Sequence, residues 1–221
     1  VIGSFMALPT FREGQTRIAP LKGELRSEVE VSTAVNTITW NVRADQPNPG
    51  MTRIRGTENR LDINDAFAVY EWAVFFGLQT AGTTSDGRMT LHQWENPLLF
   101  PTAFNAVGTA YNGTLDAEVN TVKFMDRAGV SASRYVDQAQ QGVAYIAAGP
   151  PLNQIQRSSF ERNRGWVKMV PKMLFSGNDK VQFTLNMPQA EAFTEAGFIV
   201  TAALILRGLK IQNGATFRPG K

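Results

Sequence analysis

The chain contains no cysteine and only one histidine, His92, among its 221 residues. The first absence excludes disulfides and thiolate metal sites, and the second excludes a zinc site built from several imidazoles. One imidazole would have to serve any Ser-His-Asp or Cys-His arrangement. No Gly-x-Ser-x-Gly elbow offers a nucleophile, and neither a Gly-x-Gly-x-x-Gly turn nor a Walker loop cradles a phosphate. No apolar run reaches the roughly 18 residues that span a bilayer. Residues 1–8 are apolar but too short and uncharged for a signal peptide, and the opening Val1 suggests a processed or trimmed start. No internal repeat is visible, which argues against a propeller or solenoid. These absences lead us to expect no enzymatic activity, no catalytic residue, no cofactor, no metal and no small-molecule substrate.

What is present is material for a core. Hydrophobic residues make up 43% of the chain, with 14 Phe and 4 Trp, so the chain can bury a sizeable interior. Nineteen Gly and 11 Pro suit a chain of many turns. The net charge of +3 is a mild excess. It permits contact with nucleic acid or an anionic membrane without requiring either.

The clearest pattern lies between residues 166 and 211. Val181, Phe183, Leu185 and Met187 alternate with Lys180, Gln182, Thr184 and Asn186, the period of a half-buried strand. Pro188 is expected to stop it. The turn formers Ser176-Gly177-Asn178-Asp179 precede it, and a strand over 166–175, interrupted by Pro171, precedes them. Residues 198–209 are apolar on both parities, which fits a strand covered on both faces or a buried helix. β-Branched Ile199, Val200, Thr201 and Ile205 favour the strand. Residues 66–78 read the same way, with a helix capped by Asn64 or Asp65 as the rival. Strands are also expected at 27–32 and 37–42, with shorter candidates at 51–55, 88–91 and 142–148. Tyr111-Asn112-Gly113-Thr114 predicts a type I′ hairpin, leading into an alternating run from Leu115 through Val119, Val122 and Phe124. Residues 128–141 read as a loop or short helix. In all, roughly eight to eleven short strands fit an all-β antiparallel sandwich of jelly-roll type. The expected division is an extended arm at 1–26, one sandwich at 27–211 and a tail at 212–221.

Four features invite a functional reading. Asp62 with Asp65, and Asp116 with Glu118, could bind calcium or work as an acid/base pair; otherwise they shape a turn and a solvated strand face. Arg157, Arg162, Arg164, Lys168 and Lys172 cluster with Phe160 and Trp166 between them. That composition grips phosphate backbones, or else guards a strand edge by charge. The arm carries Phe5, Met6, Leu8 and Phe11 beside Arg12, Arg17, Lys22 and Arg26. Pro9, Gly14, Pro20 and Gly23 should break any long element in it, so its apolar side chains want burial elsewhere. It is expected to dock on a neighbouring subunit or an inner surface, or else to fray.

Three segments and the closing strand carry a resemblance. They are Leu61-Asp62-Ile63-Asn64-Asp65-Ala66-Phe67, Tyr111-Asn112-Gly113-Thr114-Leu115, Phe175–Phe183 around the Ser-Gly-Asn-Asp turn, and Arg207-Gly208-Leu209-Lys210-Ile211. As a pattern of strands and turns over about residues 27–211, the chain resembles the jelly-roll capsid proteins of tailless icosahedral bacteriophages of the membrane-containing type. The resemblance implies a virion structural protein that self-assembles into a shell as a homo-oligomer with other virion proteins. It further implies an inner face, through the basic arm or the Arg157–Lys172 cluster, toward genome or membrane. That family often places two jelly rolls in one chain, whereas 221 residues suit a single elaborated one. A carbohydrate- or receptor-binding sandwich, of spike or lectin-like kind, is the alternative of a different class. A glycosidase, resting on paired acids alone, is a distant third.

Overall fold

Strands that alternate and strands that are apolar throughout sort into different sheets. In a computed structural model, residues 20–31, 33–42, 61–80, 91–135 and 165–214 are described. In chain order they form β1 (Pro20–Val31), β2 (Ala34–Val42), β3 (Ala66–Thr80), β4 (Leu91–His92), α1 (Phe104–Tyr111), β5 (Thr114–Val119) and β6 (Val122–Gly129). Then follow β7 (Val167–Ser176), β8 (Val181–Ala192), β9 (Thr194–Glu195) and β10 (Phe198–Ile211). The first sheet has the order β1-β10-β3, with β7 and β4 sharing the far side of β3 and β9 joined to β10. The second has the order β2-β8-β5-β6. Every pairing is antiparallel. The fold is an all-β antiparallel sandwich.

One core lies between the sheets. The second sheet contributes Ile38, Trp40, Val42, Leu115, Ala117, Val181, Phe183 and Leu185. The first contributes Trp72, Val74, Phe76, Val200, Ala202, Leu204 and Leu206. Each large apolar side chain buried here is worth about 1.5–3 kcal/mol. The Trp40 indole N–H donates to the Ala202 carbonyl at 3.1 Å, tying the sheets together at their centre. Phe76 meets Tyr111 edge-on at 5.5 Å and stacks on Phe193 at 5.9 Å. The parity read from β8 holds: Val181, Phe183, Leu185 and Met187 are buried. The two runs that were apolar on both parities are the central strands β3 and β10, not helices.

Several expected boundaries move. Pro188 does not end β8, which runs on to Ala192. β2 skips from Asn186 to Glu191 across a bulge, and β5 leaves off at Asn186, so the missing N–H of Pro188 removes no ladder bond. Pro171 likewise sits inside β7, in a bulge against Tyr70 on an edge strand. At the other end of the chain, residues 20–26, expected in the arm, belong to β1, and Pro20 and Gly23 do not break it. Gly23 pairs with Gly208. A Cβ at Gly23 would lie 3.3 Å from the Phe67 ring, and one at Gly208 would lie 1.9 Å from the Ala68 carbonyl oxygen. The two glycines make room for Phe67. Residues 1–19 lie outside the described residues.

The expected hairpin at Asn112-Gly113 is instead the junction of α1 with β5. The hairpin falls at Asn120-Thr121, where φ is +48° and +72°, the two positive angles a type I′ turn requires. It splits the run that seemed continuous from Leu115 to Phe124. The short helix α1 was not anticipated. Ala106, Val107, Ala110 and Tyr111 form its buried stripe, a helical spacing too brief to stand out. Its N-cap Ala103 has no side-chain oxygen to offer. The Glu195 carboxylate fills that role from a distance, accepting from the Thr102 and Ala103 N–H groups at 2.8 and 2.7 Å. The candidate strands at 51–55 and 142–148 lie outside the described residues.

Candidate functional site

His92 sits on the two-residue strand β4, opposite Phe76. Burial lowers its pKa below the usual imidazole value of 6.5. Its backbone carbonyl accepts the Tyr111 hydroxyl at 3.3 Å, so the position contributes through its main chain.

The paired acids are engaged in shaping the chain. Asp65 is buried; its carboxylate accepts the Asn213 N–H at 2.9 Å and the Lys210 ammonium at 2.8 Å. Its carbonyl accepts the Gly177 N–H, and the Asn178 amide donates to the Ile63 carbonyl. The turn at 62–65 and the turn at 176–179 thus lock together at one end of the sandwich. Gly177 is required there, since a Cβ would lie 2.1 Å from the Asp62 carbonyl oxygen. Asp116 accepts the Arg127 N–H at 2.7 Å and the Asn186 amide at 3.1 Å, which holds β6 where Arg127 has φ of +51°. Glu118 pairs in register with Lys123. Among the described residues no group of three or more His, Cys, Asp or Glu side chains converges as a metal site would require.

Of the basic cluster, Lys168 and Lys172 are described; Arg157, Arg162 and Arg164 lie outside the described residues. Lys168 stands opposite Glu71 in register, and the Lys172 ammonium lies 4.8 Å from the centre of the Tyr70 ring. The Trp166 ring is covered on one side by the Arg207 guanidinium, 3.5 Å from its centroid, and packs on Phe75 at 5.8 Å. Arg207 also pairs with Glu24. The described part of this surface holds the Arg207–Glu24 ion pair and the cation–π contacts of Lys172 and Arg207, on the face of the first sheet that points away from the core.

A polar seam that the sequence pattern did not reveal closes a gap in that sheet. β3 is paired with β7 as far as Trp72 and with β4 from Phe76. Between them the Val74 N–H donates to the Ser133 hydroxyl at 2.8 Å. The Val74 carbonyl accepts from Ser133 at 3.3 Å and from the Tyr111 hydroxyl at 3.1 Å. The Gln93 amide continues the seam, donating to the Ser133 and Gly165 carbonyls. Burial, and then the nearby Glu95 carboxylate, raise the Tyr111 pKa well above 10.0, so the phenol stays protonated and able to donate. Ser133 comes from a 3-10 turn (Val130–Ser133) inside the stretch read as a loop or short helix. Its only sequence signal is a Ser beside small residues.

No helix among the described residues is long and apolar enough to cross a membrane. No family model, curated protein or solved structure matches the chain.

Proposed function

We propose that the protein is a virion structural protein, a single jelly-roll capsid subunit that self-assembles into an icosahedral shell and has no enzymatic activity. The observation that carries this reading is the strand order. With β4 and β9 set aside as short additions, the sheets run β1-β10-β3-β7 and β2-β8-β5-β6. In each, strands distant in sequence lie side by side, four to a sheet once the short additions are left out, and this order supports reading the sandwich as an eight-stranded jelly roll, a form used by viral shells and by lectins. A subunit of a shell needs a rigid body and broad surfaces rather than a cleft, and the turns locked at 62–65 and 176–179 supply rigidity. The partners in this reading are further copies of the chain and other virion proteins, with genome or membrane against the basic inner surface.

The sugar- or receptor-binding alternative would use exposed Trp and Tyr beside acids. Trp40, Trp72 and Trp94 are buried, and Trp166 is covered by Arg207, which favours the shell reading. The test is assembly of the full chain, followed by sedimentation and negative-stain imaging. Closed particles are expected. A strictly monomeric chain that binds glycans would overturn the proposal. Removing residues 1–19, which leaves β1 whole, should yield a folded sandwich that assembles poorly.

A further inference from the structure

The outer face of the first sheet changes character along its strands. At its centre Ala73, Thr201 and Ala203 are fully buried. Next comes a row of charges that balance, Lys168–Glu71–Arg207–Glu24, each opposite the next in register. Beyond that row, toward the turns at 62–65 and 176–179, the face is aliphatic. Leu174, Ala68 and Leu209 stand side by side on β7, β3 and β10, again opposite one another in register. Leu174 is 39% exposed, and Ala68 and Leu209 are half-buried. Val170, beside Pro171 in the bulge of β7, is 84% exposed, more than any other large hydrophobic side chain among the described residues.

Two lysines border this patch, which contains no carboxylate. Lys22 of β1 continues the aliphatic row opposite Leu209 and is exposed. Lys172, between Val170 and Leu174 on β7, is exposed too and lies over the Tyr70 ring. Three kinds of occupant differ in what they require. A single-stranded nucleic acid stacks its bases on open aromatic rings. Here the Tyr70 ring already carries the Lys172 ammonium, and the Trp166 ring carries Arg207. A protein partner draws most of its binding energy from Trp, Tyr and Arg, and lysine is depleted in such interfaces. A bilayer with anionic headgroups takes aliphatic side chains into its boundary, while lysine stems lie along them and the ammonium groups reach the phosphates. The last of these matches aliphatic side chains bordered by lysine.

We propose that this end of the outer face, Leu174, Leu209 and Val170 with Lys22 and Lys172, is a docking surface for a lipid bilayer that carries anionic headgroups. With two lysines the contact is weak in a single chain and strong only where many copies share one bilayer. The proposal rests on the shell reading for why a bilayer lies against this protein, and on the patch for which residues meet it.

The test is flotation of the full chain with vesicles. Vesicles of phosphatidylcholine mixed with phosphatidylglycerol should bind the chain at least about tenfold better than phosphatidylcholine alone, and salt should weaken that binding. The double variant Lys22→Gln, Lys172→Gln and the single variants Leu174→Asp and Val170→Asp should each bind the anionic vesicles about tenfold more weakly. Val170 is the most exposed of these apolar residues, so Val170→Asp perturbs the fold least, and circular dichroism of each variant checks that the fold is kept. Thr184→Lys, which adds a lysine to the outer face of the second sheet, should leave binding within about twofold of the parent. A chain that ignores anionic vesicles overturns the proposal. So do variants that bind like the parent, or a Thr184→Lys chain that gains as much as the lysine variant loses, since binding would then follow net charge alone. Leu174→Asp that abolishes self-association while vesicle binding persists would give the patch to a second copy. Capture of single-stranded DNA through the same residues, in place of vesicles, would give it to nucleic acid; either result overturns the bilayer as occupant. Shells built by a chain that ignores vesicles would leave the shell reading standing and remove this contact. Vesicle binding through these residues by a chain that never forms shells would do the reverse.

Discussion

The two sheets present different outer faces. On the second sheet the side chains away from the core are small and polar: Thr37, Thr39 and Asn41 on β2, Gln182, Thr184 and Asn186 on β8, Asp116 and Glu118 on β5. All of these stay at least partly exposed. On the first sheet, Ala73, Thr201 and Ala203 face away from the core and are nevertheless fully buried, with Ile205 9% exposed. Around them lie Phe75, Trp166, Arg207 and Glu24. One sheet is therefore a one-sided strand surface, and the other is covered on both sides at its centre. The difference is written in the parity of the strands: β8 alternates, while β10 is apolar at every position from Ala202 to Leu206.

The comparison can be probed from the inside outward. Phe183 lies on the inner face and is fully buried, so Phe183→Ala should cost about 3–5 kcal/mol in chemical denaturation. A loss below about 1 kcal/mol would mean that β8 faces the other way. Ala203→Asp places a charge on the covered outer face of the first sheet and should cost about 3 kcal/mol. If instead it is tolerated, that face is open to water and the contrast between the sheets collapses. Ser133→Ala strands the Val74 N–H without its acceptor, for an expected loss of about 1–3 kcal/mol. Protected exchange of the Val74 amide in that variant would show that another group had replaced the hydroxyl. Thr184→Lys, on the solvated face of the second sheet, should change stability by less than about 0.5 kcal/mol. A cost near that of Ala203→Asp would make the two outer faces alike.

What could be read from the residues was what depends on parity. Alternation in β8 and double-sided apolarity in β3 and β10 follow from the two-residue repeat of a strand, so the sandwich and much of its core were legible. Turn chemistry was legible where a turn is polar and isolated, as at Ser176–Asp179. It misled at Asn112-Gly113, because the same dipeptide serves a helix end as readily as a hairpin, and the preceding eight-residue helix was too short to announce itself. Prolines 171 and 188 were read as breaks because bulges, which excuse a missing N–H, depend on partner strands far along the chain. The Val74 seam was illegible for a related reason. It joins β3, β4, α1 and a 3-10 turn that only the folded chain brings together.

The pairing of β1 with β10 carries a consequence for how the molecule comes into being. The first described strand finds its neighbour in the last, and β2 finds its own in β8. A ribosome releasing this chain exposes β1 and β2 long before either can be paired. Contacts so distant place folding at the slow end of the range for single domains, in milliseconds to seconds. Through synthesis the nascent chain carries a twelve-residue strand with both edges open, the condition under which premature association competes with folding. The N-terminal strand must wait for the C-terminal one, so losing the final strand would leave the first without the neighbour it was made with.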